Sequence, residues 1–335
     1  MKRYGVMLIG CGHIGMTHLC DIYFRDNVKI IATVDSDIER AKDAAKKSGA
    51  ASFGTDYRPF LDDPMIDVVI IATYTSSHLP ILRDCLAKGK HVLCEKPIGT
   101  DLSNGKEFAD EVRKAKTKVL VAHILRHNSS YIKLQKMISE GVIGDLRMIR
   151  MTQNHHTVDR KRFRNLLTDC SPILDCGVHY IDVAQWFTGS KIVEVSGIGT
   201  KIDERSVNCD YTVMNFKTES GCVGYFEAGW NPGVSSLNVK DFIGTKGRLT
   251  LTLAENRPSD REEGDLISLY KTETGEYITI NNPSEYKDMY AQFTTLTDMI
   301  ENDTDGDPTI DEVESAFRVA CAAEEAIATG RVIRL

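Results

Sequence analysis

The chain has 335 residues, more than one hydrophobic core usually organises, so two domains are expected. Hydrophobic residues at 42% and charged residues at 27% are ordinary for a globular protein, and a net charge of −7 argues against nucleic acid as a partner. No stretch approaches the roughly 18 apolar residues of a membrane span, and the apolar run Val6–Ile9 is too short for the core of a signal peptide.

The first third of the sequence alternates short apolar runs with helical patterns, which is typical of a parallel sheet covered on both faces. The predicted strands are Val6–Ile9, Lys29–Val34, Asp67–Ala72, His91–Cys94 and Val119–His123. The predicted helices between them are a segment with a Ser36/Glu39 capping box that ends at Gly49, Leu79–Lys88, and a segment from Leu102, capped by Asp101 or Ser103. This alternation predicts a doubly wound α/β Rossmann domain over residues 1–122.

The pattern changes after residue 122. The predicted helices are Ser130–Glu140, Ile173–Phe187, Ser284–Glu301 and Ile310–Thr329. The predicted strands are Leu146–Thr152, Tyr211–Phe216, Cys222–Ala228, Val239–Ile243, Arg248–Leu253, Leu266–Lys271 and Tyr277–Ile280. We therefore expect an α+β domain over 123–335 with a largely antiparallel open sheet, whose last helix can pack back on the first domain.

The nine cysteines indicate a reducing compartment. Their number is odd, no Cys-x-x-Cys pair occurs, and Cys94, Cys170, Cys176 and Cys222 lie in or beside apolar segments. We predict free thiols and a cytoplasmic protein.

The segment Gly10-Cys11-Gly12-His13-Ile14-Gly15 follows the first strand and opens a helix. Its first glycine permits the turn, its second lets backbone approach a pyrophosphate, and its third allows close helix–strand packing. Asp35 ends the second strand, where a carboxylate can accept hydrogen bonds from ribose hydroxyls and would repel a 2′-phosphate. The pattern predicts a dinucleotide site that favours NAD over NADP. The alternative is that Asp35 is only a turn residue that leads into the next helix.

Two further groups predict proton and hydride chemistry. Lys96 lies in Glu95-Lys96-Pro97 after the fourth strand, at the ligand edge of such a sheet, where it can reach a substrate oxygen. Asp175 and His179 are i, i+4 neighbours, and Asp182 follows three residues later, so an imidazole is flanked by carboxylates and can act as a general base. We expect Asp182 to support the helix rather than to react.

Two alternatives stay open for these residues. The carboxylates and imidazole can form a structural network on a buried helix, or His155, His156 and His179 can bind a metal, although their spacing matches no closed zinc pattern. No metal is expected. The basic segment Arg160–Arg164 is either a solvated loop or a site for an acidic or phosphorylated substrate.

These motifs together resemble the Gfo/Idh/MocA oxidoreductases over nearly the whole chain. The residues that carry the resemblance are Gly10–Gly15, Ala72-Thr73 with His78, Glu95-Lys96-Pro97, Asp175-x-Gly177-x-His179-x-x-Asp182 and Gly244-x-x-Gly247. It implies hydride transfer between NAD and a secondary hydroxyl of a sugar, an inositol-like polyol or a glycoside, with Lys96, Asp175 and His179 around the reacting carbon. This sequence departs from the family at Tyr74 and Thr75, where proline and asparagine are common, and at Cys170-Ser171-Pro172-Ile173, which replaces a glycine-rich run.

The fingerprint and the resemblance also imply the cofactor contacts. These are Gly10, Gly12, His13, Ile14, Gly15, Asp35, Thr73, Thr75, His78, Glu95, Lys96 and Arg126. The resemblance further implies a homodimer or homotetramer formed through the sheet of the second domain. Two other functions remain open: a redox-neutral enzyme that oxidises a glycoside transiently, and a non-catalytic NAD(H) sensor, which the presence of Lys96 and His179 disfavours.

Overall fold

The computed structural model describes residues 2–154, 166–235, 237–254, 264–284 and 287–335, and the chain forms two compact units. Unit 1 comprises Met1–Ile124 and Asp288–Glu314, and unit 2 comprises Leu125–Lys287 and Ser315–Leu335. The predicted domains were consecutive, whereas in the structure a segment from late in the chain belongs to unit 1.

Unit 1 contains a six-stranded parallel sheet. Its strands are β1 (Tyr4–Ile9), β2 (Val28–Val34), β3 (Ser52–Gly54), β4 (Val68–Ile71), β5 (His91–Cys94) and β6 (Val119–Val121). They pair in the order β3-β2-β1-β4-β5-β6, so the order reverses between β1 and β4, where such sheets bind ligands at their carboxyl edge. The Rossmann prediction is confirmed, and the five predicted strands are present. Only the three-residue β3 was missed, because Ser52 to Gly54 carries no apolar run.

Helices connect the strands of unit 1. The helices are α1 (His13–Ile22), α2 (Ile38–Ser48), α3 (His78–Ala87) and α4 (Leu102–Lys114). The predicted capping box at Ser36 is wrong: Asp37 caps α2 and accepts the N–H of Glu39. Asp35 holds the Asp37 N–H at 2.9 Å, so the backbone is still extended at Asp37 and the helix begins after it. The predicted cap Asp101 does accept the Asn104 N–H, at 2.9 Å.

Unit 2 is built on a nine-stranded sheet. Its strands are β7 (Leu146–Asn154), β8 (Ile192–Thr200), β9 (Tyr211–Thr218), β10 (Val223–Gly229), β11 (Leu237–Gly244), β12 (Gly247–Thr252), β13 (Asp265–Lys271), β14 (Tyr277–Asn282) and β15 (Ile333–Arg334). The order is β14-β13-β12-β11-β7-β10-β9-β8-β15, antiparallel except for the β7–β10 pair. This confirms the largely antiparallel open sheet, while β8 and β15 were not predicted.

The remaining helices are α5 (Ser129–Ser139), α6 (Val178–Thr188), α7 (Met289–Asn302) and α8 (Ile310–Thr329). The prediction of one α-helix over Ile173–Phe187 is corrected, because Ile173–Gly177 forms a π-helical turn that leads into α6. Apolar periodicity cannot distinguish the two hydrogen-bond patterns over a single turn. Among the described residues, no helix combines the length and apolar character needed to cross a bilayer.

Candidate active site

The fingerprint loop lies at the carboxyl end of β1, in unit 1. Gly10 has φ of +92°, and a Cβ there would lie 2.4 Å from the carbonyl oxygen of Ala72; a Cβ at Gly15 would lie 1.8 Å from that of Gly10. A Cβ at Gly12 would meet no atom within 4 Å, so this glycine borders open space at the start of α1. The loop therefore fits a pyrophosphate, which could approach the Gly12 backbone and the N–H groups of His13 and Ile14.

Asp35 lies beside this loop. Its Oδ2 accepts the N–H of Cys11 at 2.7 Å, and its Oδ1 accepts the N–H of Asp37 at 2.9 Å. Burial, helped by the charge of Asp35, raises the pKa of the Cys11 thiol to about 12, so this neighbour stays neutral. The carboxylate is thus held next to the loop by backbone donors and without a competing thiolate.

The segment after β4 is tied to the Glu95-Lys96-Pro97 turn by His78. This imidazole is completely buried; its Nδ1 lies 3.0 Å from the carbonyl oxygen of Pro97 and its Nε2 3.1 Å from that of Thr73. Thr75 is also buried, whereas Tyr74 is 54% exposed. His78 and Thr75 were predicted to contact the cofactor, but both side chains are buried. Their direct contacts with a cofactor stay predictions.

Glu95 has a partner that the sequence did not indicate. Its Oε1 lies 2.8 Å from Nε2 of His18, which is completely buried on α1. A lone histidine on an apolar helix face gives no local signal, which is why His18 was missed. The pair fixes the side chain that precedes Lys96, and Lys96 itself is half-buried.

In unit 2, the π-turn and α6 carry the second predicted group. From Cys170 to Ala184 every residue is buried except Leu174, Asp175 and His179. Polar side chains in a buried helical segment usually mark a site or a network, and these two reach the surface on one face. Asp175 and His179 are thus both partly exposed, and their joint action at one site stays a prediction.

Asp182 belongs to another pair. Its carboxylate accepts two hydrogen bonds of 2.8 Å from Arg126, and both side chains are buried. The Arg126 guanidinium also lies over the ring of Trp186, at 4.7 Å. Asp182 therefore supports the helix. Arg126 lies in unit 2, whereas the other predicted cofactor residues lie in unit 1. Its contact with the cofactor stays a prediction.

A buried lysine contacts the same helix. Lys240 of β11 is fully buried; its Nζ donates to the carbonyl oxygen of Thr152 at 3.2 Å and lies 4.8 Å from the ring centre of Tyr180. Tyr180, next to His179 in the chain, stacks on Phe226 at 4.6 Å. Lys240 lies on the same face of β11 as the buried Phe242, but a lysine is rarely fully buried, so the sequence analysis did not single it out.

Other predicted residues lie outside the described ranges, namely His155, His156 and Arg160–Arg164. Among the residues that the structure describes, no group of three or more His, Cys, Asp or Glu side chains could hold a metal ion. The described cysteines are free thiols, and Cys94, Cys170, Cys176 and Cys222 are buried.

Two parts of the chain match models of one protein family. Residues 4–123 match the model of the GFO/IDH/MocA oxidoreductase family, NAD-binding Rossmann fold, and residues 131–250 match the model of the GFO/IDH/MocA C-terminal domain. Inositol 2-dehydrogenase 2 of Saccharopolyspora erythraea is 31% identical over 249 residues, which span 73% of this chain and 72% of that protein.

Two solved structures share the fold over nearly the full length. Aldose-aldose oxidoreductase from Caulobacter crescentus superimposes with a TM-score of 0.87 at 20% identity, covering 100% of both chains. The scyllo-inositol dehydrogenase from Lactobacillus casei, solved with bound NAD(H) and scyllo-inositol, gives a TM-score of 0.81 at 23% identity, covering 99% of both chains.

Proposed function

Since the chain belongs to the Gfo/Idh/MocA oxidoreductase family, we propose that it transfers hydride between NAD and a secondary hydroxyl carbon of a sugar, polyol or glycoside. The observation that supports the proposal is that Asp175 and His179 are partly exposed polar residues in an otherwise largely buried helical segment. An acid–base group of this kind is what the oxidation of an alcohol requires, because the hydroxyl proton must leave with the hydride.

The proposed roles follow from the chemistry of each side chain. NAD, when bound, supplies the carbon that accepts or returns the hydride. The His179 imidazole accepts the substrate hydroxyl proton at a ring nitrogen, and Lys96 Nζ donates a hydrogen bond to the same oxygen. A fixed donor at an oxygen that becomes negative is typically worth roughly 3 to 4 kcal/mol. Asp175 accepts a hydrogen bond from His179 or from a neighbouring substrate hydroxyl.

We propose NAD rather than NADP as the preferred cofactor. The support is the Asp35 carboxylate, which two backbone N–H groups hold beside the fingerprint loop. A carboxylate in this position favours a free ribose and disfavours a 2′-phosphate. The S. erythraea relative, named as an inositol 2-dehydrogenase, supports a cyclic polyol as the first substrate to test.

A homo-oligomer is also proposed, formed through the face of the nine-stranded sheet that carries Met148 and Val223. These apolar side chains are 36% and 44% exposed. Light scattering coupled to gel filtration would measure the assembly, and a monomeric protein would contradict this part of the proposal.

The experiment that tests the function is a substrate panel. The purified protein is incubated with NAD and with inositols, other polyols, aldoses, uronates or glycosides, while NADH absorbance is followed and all mixtures are analysed for products. Net NADH formation supports a dehydrogenase. Product without net NADH indicates the redox-neutral alternative, and NAD binding without any product indicates a sensor; either result overturns the simple dehydrogenase.

A further inference from the structure

The residues before α6 form a capping arrangement around one serine. The side chain of Ser171 is buried, with 3% of the residue exposed. Its hydroxyl donates to Oε1 of Glu324 at 2.5 Å and accepts the N–H of Leu174 at 3.2 Å. Its carbonyl oxygen accepts the N–H of Asp175 at 3.0 Å. Ser171 thus binds two consecutive N–H groups, that of Leu174 through its hydroxyl and that of Asp175 through its backbone carbonyl. Asp175 is the half-buried acid of the proposed site.

The turn that follows is a π-helix, Ile173–Gly177. Such turns are rare and occur frequently at functional sites. The hydroxyl of Ser171 satisfies a donor at the start of this turn that would otherwise lack an intrahelical acceptor. The Ser171 hydroxyl therefore holds the start of the turn on which Asp175 lies.

Glu324, on α8 in the same unit, is the other end of this arrangement. Burial raises the pKa of its carboxyl above the ordinary value, and the hydrogen bond from Ser171 opposes that shift. Glu324 is half-buried, and withdrawing a carboxylate from water is unfavourable. Its hydrogen bond to Ser171, before the π-turn, is more readily explained by a role in the site than by stability.

We propose that Ser171 and Glu324 are positioning residues that orient Asp175 and thereby set which arrangement of hydroxyls the enzyme accepts beside the reacting carbon. The inference rests on the proposed function, in which Asp175 contacts substrate. A displacement of about 1 Å in such a contact can change turnover by roughly 100-fold.

The test compares Ser171→Ala, Glu324→Ala and Glu324→Gln with Glu325→Gln, a matched control at the exposed neighbouring position on α8. For each protein, kcat and KM are measured with the best substrate and with its epimer at the adjacent hydroxyl, together with NAD affinity and Tm.

We expect Ser171→Ala and Glu324→Ala to raise KM for the best substrate by roughly 10- to 100-fold. The preference of the enzyme for this substrate over the epimer should fall, and NAD affinity should be unchanged. Glu324→Gln should recover most of the loss, because an amide oxygen accepts the same hydrogen bond. A lower Tm with unchanged KM and unchanged preference would overturn the proposal.

Hydrogen exchange at the amides of Leu174 and Asp175 separates failure of this inference from failure of the proposed function. If the wild type turns over no substrate in the panel, the proposed function has failed. Loss of protection at these two amides in Glu324→Ala would then still support the positioning role, and unchanged protection would overturn it.

Discussion

Arg126 binds Asp182 through two parallel hydrogen bonds, Nε to Oδ2 and Nη2 to Oδ1, each 2.8 Å long and both buried. This geometry commits both oxygens of Asp182 to one guanidinium. Asp175, by contrast, is half-buried, as is His179 on the same helical segment. The division of roles between two acids seven residues apart follows from which of them has a buried cationic partner.

Breaking this pair should destabilise unit 2 strongly. Asp182→Asn leaves a buried guanidinium without its counter-charge, which typically costs about 3 to 5 kcal/mol in unfolding free energy. Urea denaturation followed by circular dichroism measures the change. Arg83→Ala, which removes an exposed ion pair with Glu107, is the control and should stay near wild type. Equal midpoints for the two variants would show that the Arg126–Asp182 pair contributes little.

Cofactor preference should depend on Asp35. Asp35→Ala should weaken NAD binding and narrow the advantage of NAD over NADP, because it removes both the ribose acceptor and the charge that repels a 2′-phosphate. Asp37→Ala is the matched control, since the Asp37 side chain is exposed and caps α2, whereas the Cys11 N–H of the fingerprint loop donates to Asp35. Dissociation constants for both cofactors are measured by fluorescence titration. A wild type that binds NADP better than NAD would contradict the assignment.

The sequence predicted the sheet of unit 1 because Val68–Ile71 and its neighbouring strands are continuous apolar runs that must be buried on both faces. It could not predict the pairs that organise the site. Arg126 and Asp182 are 56 residues apart, and Ser171 and Glu324 are 153 residues apart, so no local pattern links either pair. His18 and Lys240 were missed for a related reason: each is a polar residue whose burial depends on a distant element.

Lys96 and His179 should act in the chemical step. His179→Ala is expected to lower kcat by roughly 100- to 10,000-fold, as is typical when a general base is lost, and to flatten the acidic limb of the pH–rate profile. Lys96→Met should also lower kcat more than it weakens NAD binding, because its hydrogen bond strengthens in the transition state. The losses in kcat should be less than multiplicative in the double variant.

Lys88→Met, a surface control, should keep wild-type kcat. Near wild-type kcat in His179→Ala would leave the base unassigned.

The pH dependence of stability should report Glu324. Burial raises the pKa of this acid in the folded protein, so its contribution is most favourable at low pH and is lost as pH rises through the folded pKa. Glu324→Gln should therefore raise Tm over wild type at about pH 7.5 and change it little at about pH 4. Cys209, whose pKa is raised by burial and by the charge of Glu324, stays a neutral thiol over this range. The same Tm difference at both pH values would show that Glu324 does not titrate in this way.

Activity should not require a metal ion. Among the described residues no cluster could hold one, while His155 and His156 lie outside those ranges. Turnover is expected to survive dialysis against EDTA, and metal analysis of the active protein should be substoichiometric. Stoichiometric zinc, together with loss of turnover on chelation, would contradict this prediction and support a metal site formed by His155, His156 and His179.

The position of β7 has a consequence for how the chain folds. β8 to β10 pair with their neighbours in sequence, and so do β11 to β14, so each group can form through contacts close in the chain. β7 lies between the two groups and pairs with β10 and β11, both synthesised long after it. The entropy of closing that long loop is lost before any pairing energy is gained, which slows folding. During translation β7 emerges before either partner strand, so its backbone N–H and C=O groups stay unpaired until β10 and β11 leave the ribosome.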